Sequence, residues 1–258
     1  MARVLMGSLL VLCVVASPAW AAEERAQALQ ELYLAEPAYL QEHGEVQLTL
    51  RADALRAPEL TAGSASAGLE YGISDNLQAE LSVPYLVATD SRETQHGVGQ
   101  LGIGALAGGP LSQDVLLTGG LEVTFPSPST LAEDQFGVEP SVIVQAAVGD
   151  LHVACSGSIE TDPALPFEET EGTLATAIFG PLGPAVPGAV VPTLEIARVF
   201  AEESTWSLAS GFRWAPSAAV EVGAALLLVT PDTSDRLDYG AALVVSLEHN
   251  FLEEYADD

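Results

Sequence analysis

The sequence predicts an all-β fold, a transmembrane antiparallel up-and-down β-barrel of about 12 strands. Three observations point there. Between positions 45 and 251, stretches of roughly ten residues alternate apolar and polar side chains. Turn signals rich in Gly, Pro, Asn, Asp or Ser separate the stretches. A leader with the marks of an export signal precedes them all. The alternation is plainest in Trp206-Ser207-Leu208-Ala209-Ser210-Gly211-Phe212-Arg213-Trp214, where even positions are apolar or lipid-tolerant and odd ones small or charged. Successive side chains of a strand point to opposite faces, so this stretch has one greasy face and one polar face.

In chain order, Met1-Ala2-Arg3 is a short positive region, residues 4–16 are apolar, and Ala19-Trp20-Ala21 is a small-x-small cleavage site. Residues 1–21 are therefore expected to be a signal peptide. Their apolar run falls short of the roughly 20 residues of a spanning helix. Cys13 follows Leu12, where a lipoprotein signal wants a small residue, so lipid attachment is not expected. Cys155 is then the lone thiol of the exported chain and forms no internal disulfide. Residues 22–45 lie outside the alternation. Ala28, Leu29, Leu32 and Tyr33 recur at helical spacing before Pro37, which suits a short periplasmic or plugging helix, or an unstructured leader.

The strand segments of the barrel, residues 46–251, fall at 46–56, 64–74, 76–88, 97–107, 114–125, 138–148, 151–161, 171–179, 189–200, 205–215, 218–230 and 237–251. An even number suits a single-chain barrel with both ends in the periplasm. Connections after even-numbered segments are tight, as at Ser74-Asp75-Asn76, Gly149-Asp150 and Ala215-Pro216-Ser217. Those after odd-numbered segments, at 57–63, 89–96, 126–135 and 162–171, are longer and acidic or Pro-rich. Short periplasmic turns against longer outer loops is the asymmetry of such barrels. The junctions at 180–188 and 201–204 reverse it. Residues 252–258 read as an acidic tail.

Parity assigns the faces. Val46, Leu48, Leu50, Leu77, Ala79, Leu81, Val83, Leu117, Leu121, Val123, Leu243, Val245 and Leu247 are expected outside, with Tyr85, Phe125, Trp206, Trp214 and Phe251 as aromatic girdles. Trp206 and Trp214 lie eight residues apart on one face. At ~3.3 Å per residue that is about 26 Å of strand, or about 20 Å of height at a tilt near 40°. The inward set includes Gln47, Thr49, Gln78, Thr124, His152, Ser156, Ser158 and Glu248, with Arg51, Asp53, Glu70, Glu80, Glu122, Glu160, Arg213, Glu221 and Asp238 as candidate pore-lining charges. Many other inward positions are small: Ser64, Ser66, Gly68, Gly102, Gly104, Ala154, Ala209, Gly211, Gly223 and Ala225. Small side chains on so many strands predict a narrow lumen.

The formal charge is -28, from 8 Lys+Arg against 36 Asp+Glu, and every basic residue is arginine. Nucleic acid is excluded as a partner, because phosphate binding needs the opposite sign. The acidity suits a cation-favouring lumen, and equally solubility or a salt-adapted source. The loop acids Asp162, Glu168, Glu169 and Glu171 suit divalent cations that bridge lipopolysaccharide, or a solvated loop. Gly97-Val98-Gly99-Gln100-Leu101-Gly102 spells GxGxxG, but a polar loop precedes it and strand-like Ile103-Gly104-Ala105 follows, so no dinucleotide site is expected. His43, His96, His152 and His249 show no metal-ligand spacing. Neither a metal nor another cofactor is expected. A barrel lipase would need a serine and an acid around His152 or His249; Ser156, Ser158 and Glu160 are the nearest candidates to His152.

Two stretches carry a family resemblance. Leu69-Glu70-Tyr71-Gly72-Ile73-Ser74-Asp75-Asn76-Leu77-Gln78-Ala79-Glu80-Leu81-Ser82-Val83-Pro84-Tyr85 is a hairpin ending in a Pro-Tyr pair. The other is Gly97 to Gly104 followed by Gly120-Leu121-Glu122-Val123-Thr124-Phe125-Pro126, and Glu36-Pro37 through Gly44-Glu45 adds to them. These resemble the "MetA-pathway of phenol degradation" family of outer-membrane barrel transporters over about the first half of the exported chain. Gln100 stands where that family tends to have Asp, and Pro126-Ser127-Pro128 where it has Pro-Thr-Gly. The resemblance implies passage of small, aromatic or hydrophobic compounds across the outer membrane of a Gram-negative cell.

The expectation is thus a non-enzymatic, porin-like channel for a small-molecule cargo. Its partners would be outer-membrane lipid and lipopolysaccharide and, during assembly, periplasmic chaperones and the barrel-insertion machinery. The rival is a soluble exported barrel or sandwich that turns its apolar face inward around a lipophilic ligand. A barrel lipase is the third reading.

Overall fold

A computed structural model describes residues 32–57, 61–90, 93–129, 131, 136–161, 170–181, 188–201, 204–217, 219–232 and 237–251. The expected signal peptide, the acidic tail, Ala28, Leu29, Asp162, Glu168 and Glu169 lie outside the described residues. The strands are β1 (Glu45–Arg56), β2 (Thr61–Ser74), β3 (Leu77–Thr89), β4 (Thr94–Val98), β5 (Leu101–Ser112), β6 (Val115–Phe125), β7 (Gly137–Val148), β8 (Leu151–Glu160), β9 (Glu171–Phe179), β10 (Val190–Phe200), β11 (Thr205–Ser217), β12 (Val220–Pro231) and β13 (Asp238–Asn250).

Each strand runs antiparallel to its neighbours, and β1 meets β13 from Glu45 opposite Asn250 to Arg56 opposite Tyr239. With β2 paired to β3 the sheet closes on itself. Closure leaves no row of unpaired backbone groups at an edge. The ring has twelve positions, because β4 and β5 share one. The single strand expected at 97–107 is in fact two pieces: β3 pairs with β5 through Leu77–Ser82 and with β4 through Tyr85–Thr89. Between them lies Pro84, which has no N–H to offer the ladder. Its carbonyl still accepts from the Gly99 amide at 2.8 Å. Gly102 and Gly104 are paired residues of β5, so the GxGxxG letters belong to this broken strand. The reversed loop lengths at 180–189 and 201–204 are real, since β9, β10 and β11 pair in continuous register around them.

The faces follow parity. Leu121, Leu226 and Leu243 stand outward at 52%, 69% and 60% exposure, while the inward Ala154, Ala177 and Ala209 are buried. A continuous apolar exterior on this scale is stable in hydrocarbon and unstable in water. The inward apolar face required by a soluble lipophile-binding barrel is not what the chain adopts. Phe125 and Trp206 sit toward the end carrying the longer loops, with Tyr85 nearer mid-strand, and Trp214 and Phe251 lie at the other, the turn end. Arg198 faces outward near Trp206, its guanidinium between the Phe200 and Trp206 rings at 4.9 and 4.8 Å and paired with Asp232 at 2.7 Å.

Candidate functional site

One arc of the inner wall is lined at a single level by small side chains. The register places Gln145, Ala154, Ala177, Glu195, Ala209 and Leu227 side by side across β7 to β12. A row of alanines holds the wall back from the axis. Residues 32–44 fill the space. Leu32 and Ala35 pack on Ala154, Ala175, Ala177, Ala197 and Phe179. Tyr33 packs on Ala209, Ala225, Leu227, Ala242 and Val244, and Leu34 touches both clusters. The lumen expected to be narrow is narrower still: much of the room left by the small inward residues is taken by the chain's own N-terminal segment, a strap lying inside the barrel.

The strap crosses the interior in the half nearer the turn end, from β10 and β11 past β8, β7 and β6 to β1, β2 and β3. Its described part is not helical. Leu32 and Tyr33, half of the helical spacing noted in the sequence, sit in a bent, extended stretch. The reason lies in where its amides go, since a buried N–H must find an acceptor. Those of Tyr33, Leu34 and Ala35 donate to the Glu195 carboxylate at 2.6 to 3.1 Å. Glu36 N–H reaches Ser156 Oγ at 3.3 Å, Ala38 N–H reaches Gln145 Oε1 at 3.2 Å, and Gln41 N–H reaches Gln78 Oε1 at 2.8 Å. Thr118 Oγ1 donates to the Ala38 carbonyl at 2.8 Å. Wall side chains thus replace the i−4 carbonyls of a helix, and Pro37 has no amide to satisfy.

Two glycines make room. A Cβ on Gly72 would run into the Glu42 carbonyl, and one on Gly223 into Tyr33 Oη and the Arg213 side chain. Directly across the ladder from Gly223, Arg213 is 1% exposed, with its guanidinium 4.4 Å from the Tyr33 ring centroid and 3.6 Å from a Glu221 oxygen. Tyr33 Oη donates to the Phe212 carbonyl at 3.0 Å.

The candidate lining charges do not form one ring. Glu70 and Glu80 share the Gln78 side-chain amide at 2.8 Å each, and Gln41 adds a 3.2 Å bond to Glu70. Glu122 lies opposite Glu139 on the next strand, and with Glu36, Glu80 and Ser141 they border a small polar recess beside the strap. Glu160 stands across the ladder from Glu171. Arg51 and Asp53 approach to 3.5 Å, with Ser64 Oγ donating to Asp53 at 2.9 Å. Asp238 is buried at the loop end of β13, far along the wall from Arg213 and Glu221. The wall from β2 to β8 is therefore acidic, and the apolar side chains of the strap pack on the arc from β8 to β13.

Sequence reading missed Glu195, Glu139, Gln145 and Thr118. Parity places each of them inward. What it lacks is the level at which residues of different strands meet, and that level singles out Glu195 as the one carboxylate in a row of alanines.

These features lie within a fold with known counterparts. No family model matches the chain, and no curated protein matches it. Among solved structures it resembles an outer-membrane channel from Pseudomonas putida F1, with TM-score 0.61 and 12% identity over 81% of this chain and 97% of that one. The KdgM porin in complex with disordered oligogalacturonate gives TM-score 0.56 and 8% identity over 78% and 98%. The NanC porin gives TM-score 0.55 and 9% identity over 78% and 98%. The likeness is one of fold.

The histidines stand apart from any such chemistry. His152 stacks on Phe179 with ring centroids 5.3 Å apart and planes 9° from parallel. His249 faces outward against Phe251 at 4.5 Å. Among the described residues no group of three His, Cys, Asp or Glu side chains is placed to hold a metal ion.

Proposed function

We propose that this protein is an outer-membrane channel that lets small molecules diffuse through the barrel without a catalytic step. One observation carries the reading: the larger apolar side chains of the barrel strands look mostly outward, and the enclosed face bears carboxylates, amides and hydroxyls among small apolar residues. That arrangement belongs to a wall between lipid and a polar passage. The strap narrows the passage, and the polar recess beside it is bordered by Glu80, Glu122 and Glu139. Solutes there meet Glu80, Glu122 and Glu139, so small cations are favoured over anions. The resemblance to the phenol-degradation transporters extends the cargo to small aromatic compounds.

In this reading the turn end faces the periplasm and the loop end the cell exterior. Outer-membrane lipid and lipopolysaccharide surround the belt, and the chain reaches its place through signal-peptide cleavage, periplasmic chaperones and the barrel-insertion machinery. Swelling of liposomes containing the purified protein tests the proposal with solutes graded in size, charge and aromatic character. Swelling restricted to small solutes, faster for cations than for anions of equal size, is expected. Rates equal to protein-free liposomes for every solute would refute it.

A further inference from the structure

The two ends of the strap are held by different means. At the C-terminal end the chain is continuous with β1 through Gly44, whose φ of 82° is a left-handed turn that suits glycine. Gly44 N–H donates to the Gly72 carbonyl at 2.8 Å, and its own carbonyl accepts from Phe251 N–H at 3.2 Å. This end is a hinge built into the wall. The other end, at Leu32 to Ala35, owes its polar anchorage to Glu195 and to the contact of Tyr33 with Arg213 and the Phe212 carbonyl.

Glu195 differs in charge from the wall contacts that follow it along the strap, Ser156 and Gln145. Ser156 and Gln145 offer neutral oxygens to single amides, whereas Glu195 offers an anion to three successive ones. Hydrogen bonds to an ionised acceptor are the stronger kind. Glu195 is 1% exposed, so without those amides the carboxylate would be left in a niche lined by Ala177, Ala209 and other small apolar groups. Carboxylate and amides therefore depend on each other.

We propose that Glu195 is the residue that determines which solutes this barrel passes. It latches the Leu32–Ala35 end of a strap hinged at Gly44, and the latched strap sets the size limit of the lumen. The proposal rests on the reading of the barrel as a diffusion path, and its test separates the two.

All variants are full-length and carry Cys155→Ser, which removes the outward thiol. Glu195→Ala and Glu195→Gln are compared with Glu195→Asp and with an open reference whose residues 32–36 are replaced by glycine and serine. Conductance in planar bilayers and the size limit in liposome swelling are read first. Glu195→Ala and Glu195→Gln are expected to approach the open reference, and Glu195→Asp, which keeps the charge, to stay near the parent. A second readout is independent of transport. Ala35→Cys, buried under the latch, is labelled with a water-soluble thiol reagent, and Glu195→Gln is expected to speed labelling about tenfold. The latch is overturned if Ala35→Cys reacts equally fast with Glu195 and with Gln, or if the open reference conducts strongly while Glu195→Ala and Glu195→Gln conduct like the parent. If no variant, the open reference included, conducts, the channel reading falls, and the labelling rates still decide the latch. Heat-modified migration on gels confirms that each variant is a folded barrel.

Discussion

The Arg213 guanidinium covers the Tyr33 ring at 4.4 Å and stands 3.6 Å from Glu221, so a residue of the strap stacks on a buried cation of the barrel wall. The relationship couples a strap side chain to strands β11 and β12. Loss of either partner should be felt by both.

Arg213→Leu removes the cation of a buried pair, and such truncations cost about 3–5 kcal/mol. Tyr33→Phe keeps the ring and gives up the bond to the Phe212 carbonyl, at about 1 kcal/mol. Urea midpoints in lipid vesicles should fall for both, with the larger drop for Arg213→Leu.

Gly223→Val places a side chain where Tyr33 Oη and Arg213 now pack. Overpacking of this kind costs about 1–3 kcal/mol. Tyr33 is expected to be driven from its seat, so its fluorescence should become accessible to aqueous quenchers. Gly119→Val, at an outward position with open space around it, should leave the quenching unchanged.

The lipid belt has a depth dependence. Leu226 lies mid-strand on the outer face and Leu111 beside the turn after β5. Leu226→Arg is expected to destabilise the barrel by about 2–4 kcal/mol and Leu111→Arg by about 0–1 kcal/mol. Equal losses in vesicle refolding would contradict the assigned membrane position.

Single cysteines at Leu81, Leu121 and Leu243, each in a Cys155→Ser background, should resist a membrane-impermeant thiol reagent, because all three side chains look outward. A cysteine at Ser64, inward and above the strap, should react.

The acidic wall makes an electrical prediction. Glu122→Gln combined with Glu139→Gln removes the facing carboxylates of β6 and β7. Reversal potentials across a KCl gradient should show cation preference for the parent and a shift toward zero for the double variant. Anion preference in the parent would contradict the charge assignment of the passage.

The strands were legible because the alternation that defines them is local: a side chain's face depends only on its parity, and Trp206 and Arg213 declare theirs within one stretch. The break between β4 and β5 was less so, since it follows from Pro84 on the neighbouring strand. A plugging segment was among the readings of residues 22–45, but its conformation and anchors were hidden for a different reason. Leu32 and Tyr33 carry a helical spacing, but a buried carboxylate 160 residues away takes the amides a helix would have used. The alanines at 154, 177 and 209 were recognised as small and inward. Their shared level, which turns them into a seat, exists only once register is known.

On the proposed reading, the strap is an inhibitor joined to the barrel at Gly44, and it can never be diluted away. A short tether holds its target at an effective concentration of about the millimolar range, whatever the amount of protein in the cell. A solute that competes for the alanine row must therefore match that local abundance or arrive with unusually favourable contacts, and dilute bystanders are turned back by simple mass action.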